Sequence, residues 1–288
     1  MICLRQLRVA LPSAVRSFSA YEDYSKTSSN YDQMRRPLGL DDLGNCFEAV
    51  AARRGKQVSQ LKLLDVGCGT GNYLGAVHEQ LGSCTGLEFN EGMLSQALAK
   101  GMAGVDLLQG SVLDLSRFDE GAFDVVIMTQ VLHHLDSDVH ERALAQMSRV
   151  LPRGGALWLS TQTPHQHMGG FWWTPIIPKA AALVAARFSG LHELTVQLAG
   201  AGFADISAVA PPETLVIAPH YLQACGPFDA IFRNCDSTWA AATPSELKAG
   251  LNWWRSVIDA GGADEFLAER EALRAKVGMT TSVTAVKA

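Results

Sequence analysis

An α/β fold, a doubly wound and mostly parallel sheet with helices on both faces, is predicted by three features of the chain. Short apolar runs of strand length alternate with segments of helical periodicity from Leu63 onward. The run Leu63-Leu64-Asp65-Val66 ends in a turn with glycine at every second position, Gly67, Gly69 and Gly71, and a helix-periodic segment follows at once. Phe123-Asp124-Val125-Val126-Ile127-Met128 is an apolar run around one acid, as expected of a strand buried on both faces. At 288 residues, 48% hydrophobic and 18% charged, the chain can bury one large core and an inserted cap.

The glycine turn carries the chemistry. Glycines there permit positive φ and let a ligand approach bare backbone. Phosphate loops and dinucleotide folds use such turns too, but no Lys-Ser/Thr pair follows Gly71 to neutralise a triphosphate. Cys84-Thr85-Gly86-Leu87-Glu88 reads as the second strand, and a carboxylate at its end, Glu88, can accept the hydroxyl protons of a ribose.

This pattern resembles the first motif and strand-two acid of the class I S-adenosylmethionine-dependent methyltransferases, closely over residues 60 to 160. The resemblance implies a Rossmann-like sheet of seven strands with an antiparallel last strand, S-adenosyl-L-methionine as cofactor, and a methyl acceptor as partner. Asp65, Gly67, Gly69, Gly71 and Glu88 are then cofactor-binding residues. Tyr31, in a Tyr-Asp pair of the N-terminal arm, corresponds to a lid over the methionine end, with simple packing as the alternative reading. Met93 falls in the first turn of a helix capped by Asn90, where an adenine face would lie. Many relatives carry Gly-Asp after strand three, whereas this chain has Gly110-Ser111. Ser111, the Val112 amide or Asp114 would replace the adenine contact. Gln130, beyond the fourth strand, corresponds to a position that holds the cofactor amino group.

His133 and His134 follow Gln130 at the same strand end, where open α/β sheets bind ligands. They are the candidate catalytic bases, one expected to face the acceptor and the other to pack outward. Strand five is expected at Ala156–Ser160, and a helix over Leu191–Ala201 leads to a strand at Asp205–Ala210. His165 and His167 have metal-pair spacing but no third ligand nearby, so no metal is expected.

Composition narrows the partners. The formal net charge of −5 disfavours a nucleic acid as substrate, because no broad cationic surface is available. Six cysteines without a C-x-x-C pair read as reduced, scattered thiols. No apolar stretch of the first twenty residues is long enough to span a membrane. That segment carries Arg5, Arg8 and Arg16 and no acid, a profile that predicts mitochondrial targeting, with plastid import or an ordinary cytoplasmic basic arm as alternatives.

The expected organisation is a targeting segment at 1–20, a helical arm at 21–60, the methyltransferase domain at 61–218 and 279–288, and a helical insert at 219–278. About seventy residues separate the strand ending at Ala210 from a last strand at Thr281–Val286. Thr243-Pro244-Ser245-Glu246 predicts a capping box, followed by Leu247, Leu251, Trp254 and Ile258 on one helix face. With Phe171-Trp172-Trp173 this insert is expected to cap the site and favour a small organic acceptor, the rival being homodimerisation through the stripe. Two other classes share the glycine turn: a nicotinamide-dependent oxidoreductase, for which no Tyr-x-x-x-Lys pair follows strand four, and a non-catalytic assembly factor that keeps the fold.

Overall fold

The computed structural model describes residues 32, 35–216, 221–234 and 236–288. Tyr31 and the segment 1–20, for which a lid and a targeting role were expected, lie outside the described residues. One sheet holds seven strands: β1 Lys62–Val66, β2 Ser83–Glu88, β3 Val105–Gln109, β4 Val125–Thr129, β5 Ala156–Thr161, β6 Phe203–Val209 and β7 Thr281–Lys287. Their order is β3-β2-β1-β4-β5-β7-β6. Neighbours from β3 to β5 are parallel, and β7 runs antiparallel to both β5 and β6. The order reverses between β1 and β4, so the carboxyl ends of these two strands flank the crevice where such sheets take ligands.

Among the described residues the helices are α1 Leu40–Arg54, α2 Asn72–Val77, α3 Glu91–Ala99, α4 His140–Val150, α5 Pro164–Gly170, α6 Pro178–Ala185, α7 Leu191–Gly200, α8 Ala230–Arg233, α9 Ser237–Ala241, α10 Pro244–Asp259 and α11 Ala263–Val277. Strand alternation divides the sheet between two cores. Leu64, Val66, Val126 and Met128 pack with Leu144 and Met147 of α4 and Leu194 of α7. Leu63, Val125, Ile127 and Trp158 pack with Phe47 and Val50 of α1 and Leu74 of α2.

Asp124, the acid in the apolar run, precedes β4 and serves as an anchor. It accepts hydrogen bonds from Arg54 Nε at 2.9 Å, Lys56 Nζ at 2.7 Å and the Lys62 backbone at 2.9 Å. Burial pushes its pKa up, yet the Lys56 and Arg54 cations and the Lys62 N–H outweigh that and hold it below the usual carboxylate range. At the far edge, β6 shifts register between Ala204 and Ser207, where Asp205 has φ 46°. That bulge interrupts an otherwise open edge strand.

Between β6 and β7, α8 to α11 build a second layer of apolar packing. Phe171, Trp172, Trp173 and Ile176 enter one buried cluster with Phe232, Trp239, Trp254 and Leu267. Trp172 and Trp254 lie 5.4 Å apart between ring centroids, and Trp254 Nε1 donates to the Ala224 carbonyl at 2.7 Å. Of the α10 stripe, Trp254 is buried inside the chain, and Leu247, Leu251 and Ile258 are half-buried against the same cluster; Trp253, 41% exposed, faces out. The expected capping box is half made. Thr243 accepts the Glu246 N–H at 3.2 Å, but Glu246 Oε1 accepts from the backbones of Lys179 at 2.7 Å and Ala180 at 3.2 Å. An acid of α10 thus caps α6, whose own start, Ile177-Pro178, offers no side-chain acceptor. A complete capping box stands instead at Thr163 and Gln166, opening α5.

Candidate active site

The turn after β1 is pinned to the end of β2. Gly67 and Cys68 donate their N–H groups to the Leu87 carbonyl at 2.7 and 3.1 Å. The Glu88 carboxylate then bridges two backbones, accepting from Gly69 at 2.9 Å through Oε2 and from Asn90 at 2.7 Å through Oε1. With the Phe89 N–H also bonding it, the carboxylate keeps one of its roughly four acceptor sites for a hydroxyl donor. Gly67 has φ 77°, and a Cβ there would stand 2.4 Å from Val131 Cγ2, so a side chain is excluded by both conformation and space. Gly71 precedes α2 at φ 78°, and Met93 approaches Gly69 closely enough that a Cβ there would lie 3.7 Å from its Cε.

Asp65 is 1% exposed, and among the described residues neither carboxylate oxygen has a hydrogen-bond partner. Burial, with the nearby Glu88 carboxylate adding to it, raises its pKa to about 8. Burial also raises that of Glu88, opposed by the N–H groups of Asn90, Gly69 and Phe89. Two acids forced together without a countercharge make a place where a cation is stabilised.

Gly67, Gly69 and Gln130 line one cleft together with Thr70, Tyr73, Thr129 and, from the arm, Arg35 and Arg36. Gln130 sits at φ 54°, rare for a residue other than glycine, and donates its N–H to the Ser160 carbonyl at 2.8 Å. The arm is strapped down by Thr70 Oγ1 donating to Asp32 at 2.5 Å, by a Lys100–Asp32 ion pair at 2.7 Å and by Tyr73 against the Leu38 backbone. Arg35 and Arg36 were legible as an arginine pair before Pro37, but no spacing rule ties an arm to a turn some thirty residues later.

The remaining expected residues stand apart from that lining. Ser111 is buried and its Oγ accepts the Leu113 N–H at 3.2 Å; the Val112 side chain belongs to the sheet core. Past Gln130 the chain leaves β4 for a tight turn at Leu132–His134, so strand alternation lapses. The expected parting of the two histidines does not occur, since their rings stack at 4.0 Å. His133 is 7% exposed, packs on Phe188 at 4.5 Å, and its Nδ1 has no hydrogen-bond partner among the described residues. Burial first, then the neighbouring His134, His167 and arginines, drives its pKa well below the ordinary value. Burial and Arg187 lower His134 to about 4. Both imidazoles are therefore neutral near pH 7.

The residues fit S-adenosylmethionine. Asp65, which a bound cation would ionise, and its neighbour Glu88 complement the ammonium and sulfonium, Glu88 has acceptor capacity left for a ribose hydroxyl, and Arg35 and Arg36 complement a carboxylate.

Fold and cleft together define a Rossmann-like α/β protein with a cleft where the strand order reverses. Residues 64–159 match the methyltransferase domain family, and the sheet has the Rossmann-like methyltransferase fold. It is 30% identical over 151 residues to demethylmenaquinone methyltransferase of Lactococcus lactis, covering 50% of this chain and 58% of the relative. The Staphylococcus aureus protein of that name is 36% identical over 147 residues, covering 49% of this chain and 59% of the relative. The chain thus spans less than two thirds of either. A solved Anabaena variabilis structure, described as "Putative methyltransferase from antibiotic biosynthesis pathway", superposes with TM-score 0.68 at 20% identity over 88% of this chain and 99% of that one.

Proposed function

We propose that this protein transfers the methyl group of S-adenosyl-L-methionine to a small, largely apolar organic acceptor held between the carboxyl ends of β4 and β5 and the aromatic cap. The observation that carries this reading is the buried Asp65–Glu88 pair beneath the glycine turn at the point where the strand order reverses. Bound there, the cofactor supplies a methyl group already activated by its sulfonium. The protein then has to align the acceptor and exclude water.

His133 and His134 are the groups of this reading that take a proton from a hydroxyl or ring-carbon acceptor. Their neutrality at pH 7 leaves them able to accept one. With His134 at about 4 and a phenol near 10, full proton transfer ahead of methylation would cost about 8 kcal/mol. The proton must leave as the methyl arrives, or the acceptor must reach the site already ionised. A thiol or amine acceptor needs no such base. The demethylmenaquinone relatives favour a quinol-type ring, methylated at carbon or oxygen.

Calorimetry with S-adenosylmethionine against NAD and NADP is the first test, followed by transfer of labelled methyl to a panel of quinols, phenols, thiols and amines. Tight nicotinamide binding without S-adenosylmethionine binding would replace this reading with the oxidoreductase one. The arginine-bearing segment 1–20 supports import into mitochondria as part of the proposal, and a reporter fusion that stays cytosolic would remove it.

A further inference from the structure

Asp236, at the start of α9 in the insert, reaches back to the arm that lines the cofactor cleft. Its Oδ2 accepts Arg35 Nη2 at 3.0 Å, with side chains 6% and 13% exposed. Its Oδ1 accepts the Thr238 N–H at 2.9 Å and also the Thr238 hydroxyl proton. Having given its proton to a carboxylate, that hydroxyl can only accept from His167 Nε2, 3.2 Å away. Burial holds the His167 pKa below its ordinary value, against the opposing Asp236 carboxylate, and Gln162 Oε1 lies 2.9 Å from its Nδ1. Arm, insert, α5 and the end of β5 are thereby joined by one buried polar chain. His167 also stands 5.3 Å from Phe188, the ring that packs on His133.

Among the described residues, the cations lining the cleft are Arg35 and Arg36. Arg36 is turned to the segment after β6, donating to the Thr214 carbonyl at 2.8 Å and hydroxyl at 3.2 Å. Arg35 is fixed in the cleft wall by the Asp236 carboxylate and by a bridge between its own backbone and Val216. An arginine held by one carboxylate is pre-organised to present its planar fork to a second, with little side-chain entropy left to lose.

We propose that Asp236, although it belongs to the insert, is a positioning residue of the cofactor cleft: it holds Arg35 where the guanidinium takes the carboxylate at the amino-acid end of S-adenosylmethionine. This rests on the methyl-donor reading above. One consequence is that the cap which shelters the acceptor also completes the donor site, so the two are assembled together.

The test compares two probes on the full chain. S-adenosylhomocysteine carries the amino-acid end, and 5′-methylthioadenosine has the same nucleoside and thioether without it. In Asp236→Asn, calorimetry should show S-adenosylhomocysteine weakened by about tenfold or more, as for loss of one charge-assisted contact. Methylthioadenosine should stay within about twofold of wild type, and Asp236→Glu should recover part of the loss. Equal weakening of both probes, or no change for either, overturns the proposal, since a packing role has no preference for the carboxylate. Should Asp236→Asn fail to fold, Arg35→Gln, which leaves the α9 cap intact, must show the same selectivity, and equal weakening there overturns it too. If wild type binds neither probe, the methyl-donor reading falls and this assignment with it; binding of methylthioadenosine alone sinks this assignment and leaves the donor site standing.

Discussion

Glu88 accepts the backbone N–H of Gly69 at 2.9 Å, so the end of the second strand and the turn after the first form one unit. A residue that positions the glycine turn and offers acceptors to a ligand links sheet geometry to affinity.

Substituting Glu88→Gln keeps the shape and removes the charge. Cofactor binding should weaken by about 1.5–3 kcal/mol, the weight of charge-assisted bonds, with the fold retained. Unchanged affinity in a folded variant, measured by calorimetry, would remove Glu88 from the ribose site.

Asp65 should make the protein less stable as pH rises. Its folded pKa of about 8 lies above the ordinary 3.8, so between those values the unfolded chain has lost a proton that the folded chain keeps. Rising pH through that window therefore favours unfolding, by about 4 kcal/mol at pH 7 if the whole shift is expressed. Asp65→Asn should gain stability over wild type as pH rises from 4 to 8 while losing cofactor affinity. Parallel denaturation curves for the two proteins across that range would contradict the buried, unpaired carboxylate.

Asp124 predicts the opposite sign. Its pKa is depressed in the folded state, so its contribution is present above the ordinary carboxylate value and is lost as pH falls through the folded one. Asp124→Asn should cost about 3 kcal/mol near neutrality, leaving Arg54 and Lys56 without their shared partner, and the deficit should shrink in acid. Cofactor affinity should hold, because Asp124 precedes β4 at the end of the sheet opposite the cleft. A loss of cofactor binding larger than the loss of stability would refute this separation.

Trp254 is 0% exposed in the cap core, so Trp254→Ala should destabilise by about 3–5 kcal/mol rather than merely reshape an acceptor surface. If the cap shelters the acceptor, acceptor KM should rise in the variant while methylthioadenosine binding persists. A variant with intact acceptor kinetics would detach the cap from catalysis.

The sequence by itself determined the sheet and the turn. Asp65, Gly67, Gly69, Gly71 and Glu88 lie within one strand-turn-helix-strand stretch, where backbone conformation and short-range spacing fix what can approach. Continuous apolar runs likewise assigned the central strands, because a parallel strand buried on both faces needs apolar residues at successive positions. Other features waited on tertiary structure. His133 and His134 look like opposite faces of a strand, but the chain turns after Gln130 and the rings stack. Glu246 reads as its own helix's capping acid, but a neighbouring helix start without a side-chain acceptor takes it. Arg35 and Asp236 are separated by 201 positions, and neither carries a local signal for the other. Local rules see a few residues of chain, whereas a buried ion pair is decided by which surfaces packing brings together and leaves dry.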